Sequence, residues 1–285
     1  MSDLIIPPGV PSEFREEARA AVSAALAGGR AAMDYYGADL TVTRKEAGDP
    51  VTLADLAANR AILDEIQSSF PADSVLSEES DLDPGSVPSE RLWIIDPLDG
   101  TKEFIARNGE FCVMVGLAIR GEAVLGVTCQ PQDGIVLLGV PGAGSWLSRG
   151  DSFEAVHVEP EAHGPLRMTR SRSHPDERLQ ALEDGLPDAI IVPSGSVGVK
   201  CSLIVRDKAD LYAHPVPFLK EWDTCAPEAI LRGAGGRVTD CSGAPLRYGK
   251  RDPRQPGGIF AARADVWAEV LPTVQEISVS MFNYD

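Results

Sequence analysis

Trp93-Ile94-Ile95-Asp96-Pro97-Leu98-Asp99-Gly100-Thr101-Lys102-Glu103-Phe104 opens as an apolar strand and closes in a tight acidic turn. Asp96 and Asp99 stand three residues apart, with Pro97 and Gly100 shaping the backbone around them. Thr101 and a helix-compatible stretch follow. Paired hard oxygen ligands beside a helix N-terminus make a place to hold a divalent cation next to a phosphate. The run D-P-x-D-G is also good turn chemistry, so its meaning depends on what else converges on it.

Outward toward the N-terminus, residues 12–36 read as an amphipathic helix. Phe14, Ala18, Val22, Leu26 and Met33 recur near helical spacing, with Glu13, Arg15, Glu16 and Arg19 left for solvent. A strand-like stretch at 40–43 and a polar loop lead to Asp49-Pro50-Val51-Thr52. Thr52 is expected to cap a helix running to Ser69, with Asp55 as the capping-box acid. Val75 and Leu76 form a short apolar step into Ser77-Glu78-Glu79-Ser80, and 81–90 reads as a polar surface loop. Residues 91–95 then form a buried strand. Runs at 111–119 and 122–128 flank Arg120-Gly121, a hairpin signal, and 134–140 and 145–148 extend it. The first half is expected as helices on a largely antiparallel sheet.

The second half alternates: strand 166–171, helix 175–184, strand 189–193, helix 197–206 and strand 211–213. A helix at 223–233 follows, with Pro227 in its first turn. Strands 237–239 and 258–262 and a helix at 266–277 close the chain. The connection 157–166 is the best boundary, dividing the chain into domains 1–160 and 161–285. The class is α/β in the broad sense, an α+β mixture.

Composition bounds the function. The 285 residues suit one large domain or two closely packed ones, and 44% hydrophobic with 24% charged is ordinary for a globular chain. A net charge of −17 disfavours a nucleic acid polymer or an anionic membrane as partner. A small anionic substrate remains open, provided cations reverse the field locally. The five cysteines form no C-x-x-C pair, so neither a disulfide framework nor a zinc site is expected. Cys112, Cys129 and Cys201 read as packing residues. Residues 1–8 carry no basic segment or long apolar run, and the longest apolar run, 111–119, is far short of the roughly 20 residues that cross a bilayer. A cytoplasmic address is expected.

Acidic residues stand at element boundaries at Asp55, Glu78, Asp96/Asp99 and Asp223. Each has an ordinary reading: Asp55 and Asp223 as helix caps, Glu78 as a solvated loop residue, Asp96/Asp99 as turn formers. Together they are harder to explain, because Glu78 and Asp96 both follow strand-like steps. Carboxylates gathered at a sheet rim repel unless cations sit between them. No His or Cys accompanies them, and an all-oxygen set selects magnesium or manganese over zinc.

The combination of Asp49-Pro50-Val51-Thr52-Leu53-Ala54-Asp55, Ser77-Glu78-Glu79-Ser80, the run 93–101 and Glu221-Trp222-Asp223-Thr224-Cys225-Ala226-Pro227-Glu228 resembles the inositol monophosphatase superfamily of Mg²⁺-dependent, lithium-sensitive phosphatases. Asp99-Gly100-Thr101-Lys102-Glu103-Phe104 with Arg107-Asn108-Gly109-Glu110-Phe111 is similar to its CysQ-type 3′(2′),5′-bisphosphate nucleotidases. Lys102-Glu103 departs from true inositol monophosphatases. The resemblance implies an αβαβα layered sandwich and two, with room for a third, Mg²⁺. It implies that Glu78, Asp96 and the Leu98 carbonyl hold one ion, that Asp96, Asp99 and Asp223 hold a second, and that a third sits near Glu78 and Asp55. Thr101, paired with Asp55 or Glu78, is implied to orient the attacking water. Glu78, Leu98, Asp99, Gly100, Thr101 and Asp223 are implied to line the substrate, with the amides of Gly100 and Thr101 on its phosphate. The implied substrate is 3′-phosphoadenosine 5′-phosphate, with its sulfated analogue as a second. The rival readings are an inositol or sugar-phosphate phosphatase and a silent metal- or nucleotide-binding protein. Monomers and homodimers both fit the resemblance.

Other candidates are weaker. Ser171-Arg172-Ser173-His174 and Ser194-Gly195-Ser196 could meet the leaving group, or be an exposed loop and a helix cap. Arg170, Arg172 and Lys200 are candidate donors to a second phosphate. Cys225 reads as packing rather than as a redox handle, and His157, His163, His174 and His214 lack ligand spacing.

Overall fold

The structure is a computed structural model and describes residues 5–37, 43–44, 50–79, 90–150, 152–159, 164–173 and 176–282. After a 3-10 turn come α1 (Arg15–Met33), the two-residue strands β1 (Thr43–Arg44) and β2 (Pro50–Val51), and α2 (Leu53–Ser69). Then follow β3 (Ser74–Ser77), β4 (Arg91–Asp99), α3 (Thr101–Ala106), β5 (Cys112–Ile119), β6 (Glu122–Gln130), β7 (Ile135–Val140), β8 (Gly144–Ser148) and β9 (Phe153–Val156). The second half runs β10 (Arg167–Ser171), α4 (Glu177–Gly185), β11 (Ile190–Ser194), α5 (Val197–Val205), β12 (Leu211–His214), α6 (Glu221–Gly233), β13 (Arg237–Thr239), β14 (Ile259–Ala262) and α7 (Ala264–Phe282).

Strands β3 to β9 form one sheet in chain order, parallel only between β3 and β4. A second sheet has the order β11-β10-β12-β14-β13, with its first three strands parallel. Helices α1 and α2 cover the outer face of the large sheet, α5 and α6 lie between the sheets, and α4 and α7 cover the small one. The order is αβαβα, as expected. The large sheet is buried on both faces, so β5 reads as a continuous apolar run rather than an alternation. Its Val113, Val115 and Leu117 join the core under α1 and α2, while Cys112 and Met114 pack with Val199 and Ala226 of α5 and α6.

A row of glycines seats α6. Gly116, Gly126 and Gly139 are register partners across β5, β6 and β7. A Cβ on them would fall 2.6 Å from Cys225 Sγ, 2.3 Å from the Ala226 carbonyl oxygen and 2.3 Å from Ile230 Cα. The helix backbone therefore lies almost on the sheet backbone, an approach only glycine permits.

Several expectations shift. Strand β9 was not anticipated; it is the half-exposed outer edge of the large sheet, where the apolar signal is weakest. The strand expected at 91–95 runs on to Asp99. Helix α6 begins at Glu221 instead of 223, so Asp223 is its third residue and Pro227 sits in its second turn. The earlier start arises because Lys220 is bridged to Arg254 and the Glu221 amide donates to the Pro253 carbonyl, 2.9 Å away. The readings at 81–89, at Ser80, at His163 and His174 and most of the strand at 40–43 lie outside the described residues. Among the described residues no helix is long and apolar enough to cross a membrane.

Candidate active site

Strand β4 delivers two carboxylates to one face by breaking its own register. Asp96 opposes Met114 and Asp99 opposes Cys112, so three steps on β4 match two on β5. In a regular strand, residues 96 and 99 would point to opposite faces; the extra residue brings them into phase. Pro97 cannot join the ladder, and the Leu98 amide instead donates to Asp96 Oδ1 at 3.0 Å. The shared face is the one occupied by Cys112 and Met114, toward α5 and α6.

Three further elements meet the β4 end. Ser77 of β3 is in parallel register with Ile95, and the Glu78 amide donates to the Ile95 carbonyl at 3.2 Å, which puts Glu78 beside Asp96. Helix α6 brings Asp223, whose carboxylate turns back to accept the Lys220 amide at 2.5 Å. Carboxylate oxygens of Asp96, Asp99 and Asp223 all lie within 4.8 Å of one another. From α5, the Ser196 hydroxyl and the Gly198 amide donate to Asp99 Oδ2 at 2.5 and 2.9 Å. Ser196 also caps α5 through the Val199 amide, so the cap reading and the site reading both hold.

Asp55 and Thr101 form a separate pair. The capping box closes as expected, with the Thr52 amide and hydroxyl both donating to Asp55 Oδ2 at 2.7 Å. Asp55 Oδ1 accepts from the Thr101 hydroxyl at 3.1 Å, and the Leu98 carbonyl lies 3.2 Å from the same hydroxyl. Of the two partners offered for Thr101, Asp55 stands within hydrogen-bond distance. Gly100, with φ +95°, precedes α3; a Cβ there would be strained and would lie 2.9 Å from the Glu110 carbonyl oxygen.

Burial, then repulsion from Glu78, Asp99 and Asp223, pushes the Asp96 carboxyl well above the usual carboxylate range. Asp223 is driven the same way by burial, Asp99 and Glu78, against the Lys220 amide and charge. Asp99 is raised by burial, opposed by Lys200, Ser196 and Gly198. Burial raises Asp55 too, against its bonds to Thr52 and Thr101. The three converging carboxylates of Asp96, Asp99 and Asp223, all oxygen donors, have the chemistry of a donor set for a hard divalent cation. The acidic residues therefore fit Mg²⁺.

The weaker candidates are accounted for individually. Arg172 is held by Glu110 at 2.6 and 2.8 Å and by the Pro193 carbonyl, and Arg170 pairs with Glu183. Both guanidiniums thus already have carboxylate partners. Lys200 is 3% exposed, with Nζ 3.3 Å from the Gly195 carbonyl oxygen. Ser173 donates to Glu103 at 2.5 Å, and the Gly195 amide donates to Glu110 at 2.8 Å. Sequence reasoning missed that Glu103 and Glu110, inside a stretch quoted for its resemblance, bind the second half to the first. Their spacing carries no such signal. All five cysteines are free and buried, and burial lifts Cys129, Cys201 and Cys241 to about 12, which leaves them unreactive.

A five-layer sandwich with clustered carboxylates at the rim of its large sheet defines a class, and comparison with known proteins agrees with it. Residues 13–278 match the inositol monophosphatase family, and the chain belongs to that family. Among its relatives, the 3′(2′),5′-bisphosphate nucleotidase CysQ of Escherichia coli K12 is 36% identical over 216 residues, 75% of this chain and 85% of that one. The 3′-phosphoadenosine 5′-phosphate phosphatase of Mycobacterium tuberculosis is 31% identical over 241 residues, 84% and 85% of the two chains. The crystal structure of CysQ from Bacteroides thetaiotaomicron superposes with a TM-score of 0.74 at 32% identity, covering 88% of this chain and 98% of that one. The inositol monophosphatase of Anabaena superposes with a TM-score of 0.73 at 26% identity, covering 95% and 97%.

Proposed function

We propose that this protein is a Mg²⁺-dependent phosphomonoesterase that removes the 3′-phosphate of 3′-phosphoadenosine 5′-phosphate to give AMP, and that it also accepts the sulfated analogue. The observation that carries the reading is the meeting of Asp96, Asp99 and Asp223 beside the Asp55–Thr101 pair. The bisphosphonucleotide enters from the two relatives whose names state that activity. In this reading residues 1–160 supply Glu78, Asp96, the Leu98 carbonyl and Asp99, and residues 161–285 supply Asp223, for two ions, with a third near Glu78 and Asp55. When bound, the ions offset the carboxylate charge and stabilise charge developing on the phosphoryl group.

The rest of the chemistry falls to the chain itself. The Thr101 hydroxyl, donating to Asp55 Oδ1, leaves its lone pairs to accept an O–H from a water and so aim that water at phosphorus. Asp55, made more basic by burial, takes the Thr101 proton as the hydroxyl takes one from the water. The amides of Gly100 and Thr101 hold phosphate oxygens beside Glu78. The P–O3′ bond breaks in line, and the departing alkoxide is protonated from solvent. Ser196 keeps Asp99 in place throughout.

The test is phosphate release from 3′-phosphoadenosine 5′-phosphate, 3′-AMP and inositol 1-phosphate, with Mg²⁺ and after chelation. The expected result is turnover that needs Mg²⁺, with kcat/KM for the bisphosphate roughly ten- to a hundredfold above that for 3′-AMP, the worth of one charge-assisted phosphate contact. Faster turnover of inositol 1-phosphate would replace the nucleotidase with a sugar-phosphate phosphatase, a reading the Anabaena likeness favours. No turnover of any of the three would favour a silent metal- or nucleotide-binding protein.

A further inference from the structure

The small sheet ends at the site on one side only. Strands β10, β11 and β12 are parallel, so their C-terminal ends share one rim. The residues that follow β10 and β11 there are Arg172-Ser173 and Gly195-Ser196, and they reach Glu110, Glu103 and Asp99. In open sheets of this kind a ligand lies outside the carboxyl ends of the parallel strands. The segment that follows β12 is Pro215-Val216-Pro217-Phe218-Leu219, which runs directly into α6 and Asp223.

Val216 and Leu219 are buried in this turn, at 2% and 8% exposure, yet Phe218 between them is 70% exposed. It is the most exposed large apolar side chain among the described residues. A single exposed ring is ordinary on a protein surface; its address here is not. Two residues on, the Lys220 amide donates to Asp223 at 2.5 Å, and two residues of chain span at most about 7 Å. The turn therefore carries an exposed aromatic residue within about 7 Å of chain from the carboxylate cluster, after β12 as Ser173 and Ser196 follow β10 and β11. The charged groups of the loops beside it hold one another, and among the described residues Phe218 carries the only exposed phenylalanine, tyrosine or tryptophan ring.

We propose that the Phe218 ring is the surface on which the purine base of the substrate stacks, making Phe218 a specificity-determining residue. The inference rests on the nucleotidase reading above. Stacking a base on an aromatic face is worth roughly a tenfold change in affinity or more. The experiment compares kcat/KM for 3′-phosphoadenosine 5′-phosphate with that for methyl riboside 3,5-bisphosphate, which keeps both phosphates and lacks the base. In F218A the ratio of the two falls roughly tenfold or more, mainly through KM for the nucleotide; in F218W it stays within about threefold of wild type, and F218L behaves like F218A. General damage to the site lowers both substrates and leaves the ratio alone. An unchanged ratio in F218A, with wild type turning over the nucleotide, overturns the stacking role and leaves the nucleotidase reading standing. Failure of wild type to turn over the nucleotide overturns both.

Discussion

The small sheet has an acidic cluster near each end, and the two are opposites. At the N-terminal ends of β10 and β12, Asp210 accepts both Nε and Nη2 of Arg167 at 2.9 and 2.7 Å and Nε of Arg263 at 2.7 Å. Asp207 accepts from the same two arginines. Two carboxylates meet two guanidiniums, and the charge closes. Burial pushes Asp210 upward, but its bonds to Arg167 and Arg263 win and hold it below the usual carboxylate range. Asp207 is lowered chiefly by Arg167. At the other end, Asp96, Asp99 and Asp223 are all raised, with Lys200 and Lys220 as the cations acting on them. The first cluster is complete as folded. The second gathers carboxylates that burial and mutual repulsion raise, and that difference separates a structural ion network from a candidate cation site.

Neutralising one carboxylate in each cluster should break the comparison in opposite directions. Asp96→Asn removes the carboxylate proposed to bridge two ions; kcat/KM at saturating Mg²⁺ should fall at least about a thousandfold, while the metal-free protein melts no lower than wild type because repulsion is relieved. Activity within a few-fold of wild type would remove Asp96 from the bridging role. Asp210→Asn should do the reverse. It takes from the buried Arg263 its buried carboxylate partner and leaves only the more exposed Asp207, a loss of about 3 kcal/mol in denaturant unfolding, with kcat near wild type in the folded fraction. A stability unchanged within error would show that the network is ornamental.

Thr101→Ala sharpens the picture at the open cluster. In the proposed role the hydroxyl serves a water rather than the substrate, so kcat should fall about a hundredfold with KM nearly constant. A change confined to KM would make Thr101 a binding residue. The smallest expected effect is on pH. Asp207 and Asp210 have depressed folded pKa values, so the unfolded chain binds their protons first as pH falls. Their stabilisation is therefore present above about pH 4 and lost as pH drops through the folded values. The stability gap between wild type and Asp210→Asn should narrow in that acid range, read from urea midpoints; a gap that stays constant down to pH 2 would contradict the assignment.

Much of the site was legible because its parts are local. The Thr52/Asp55 box, the step into Glu78 and the β4 run each depend on residues within a few positions of one another, where capping, turn chemistry and apolar periodicity act. The Arg120-Gly121 turn was legible for the same reason, with both residues at positive φ as a two-residue hairpin needs. Asp223 was recognisable as an acid before a helix, but the helix start was set by Lys220 pairing with Arg254, a partner more than thirty residues away.

By itself the sequence determined which residue types stand at the ends of which elements, and hence an acidic, all-oxygen donor set on an α/β chain. Only the tertiary structure decided that these donors meet. Bringing Asp96 and Asp99 into phase takes a register break against β5, and bringing Asp223 to them takes a helix lying on the backbone of Gly116, Gly126 and Gly139. In sequence those glycines are single letters inside three strands. They become a seat for α6 only when strand pairing lines them up, because close approach of two backbones is a property of the packed layers and not of any one segment.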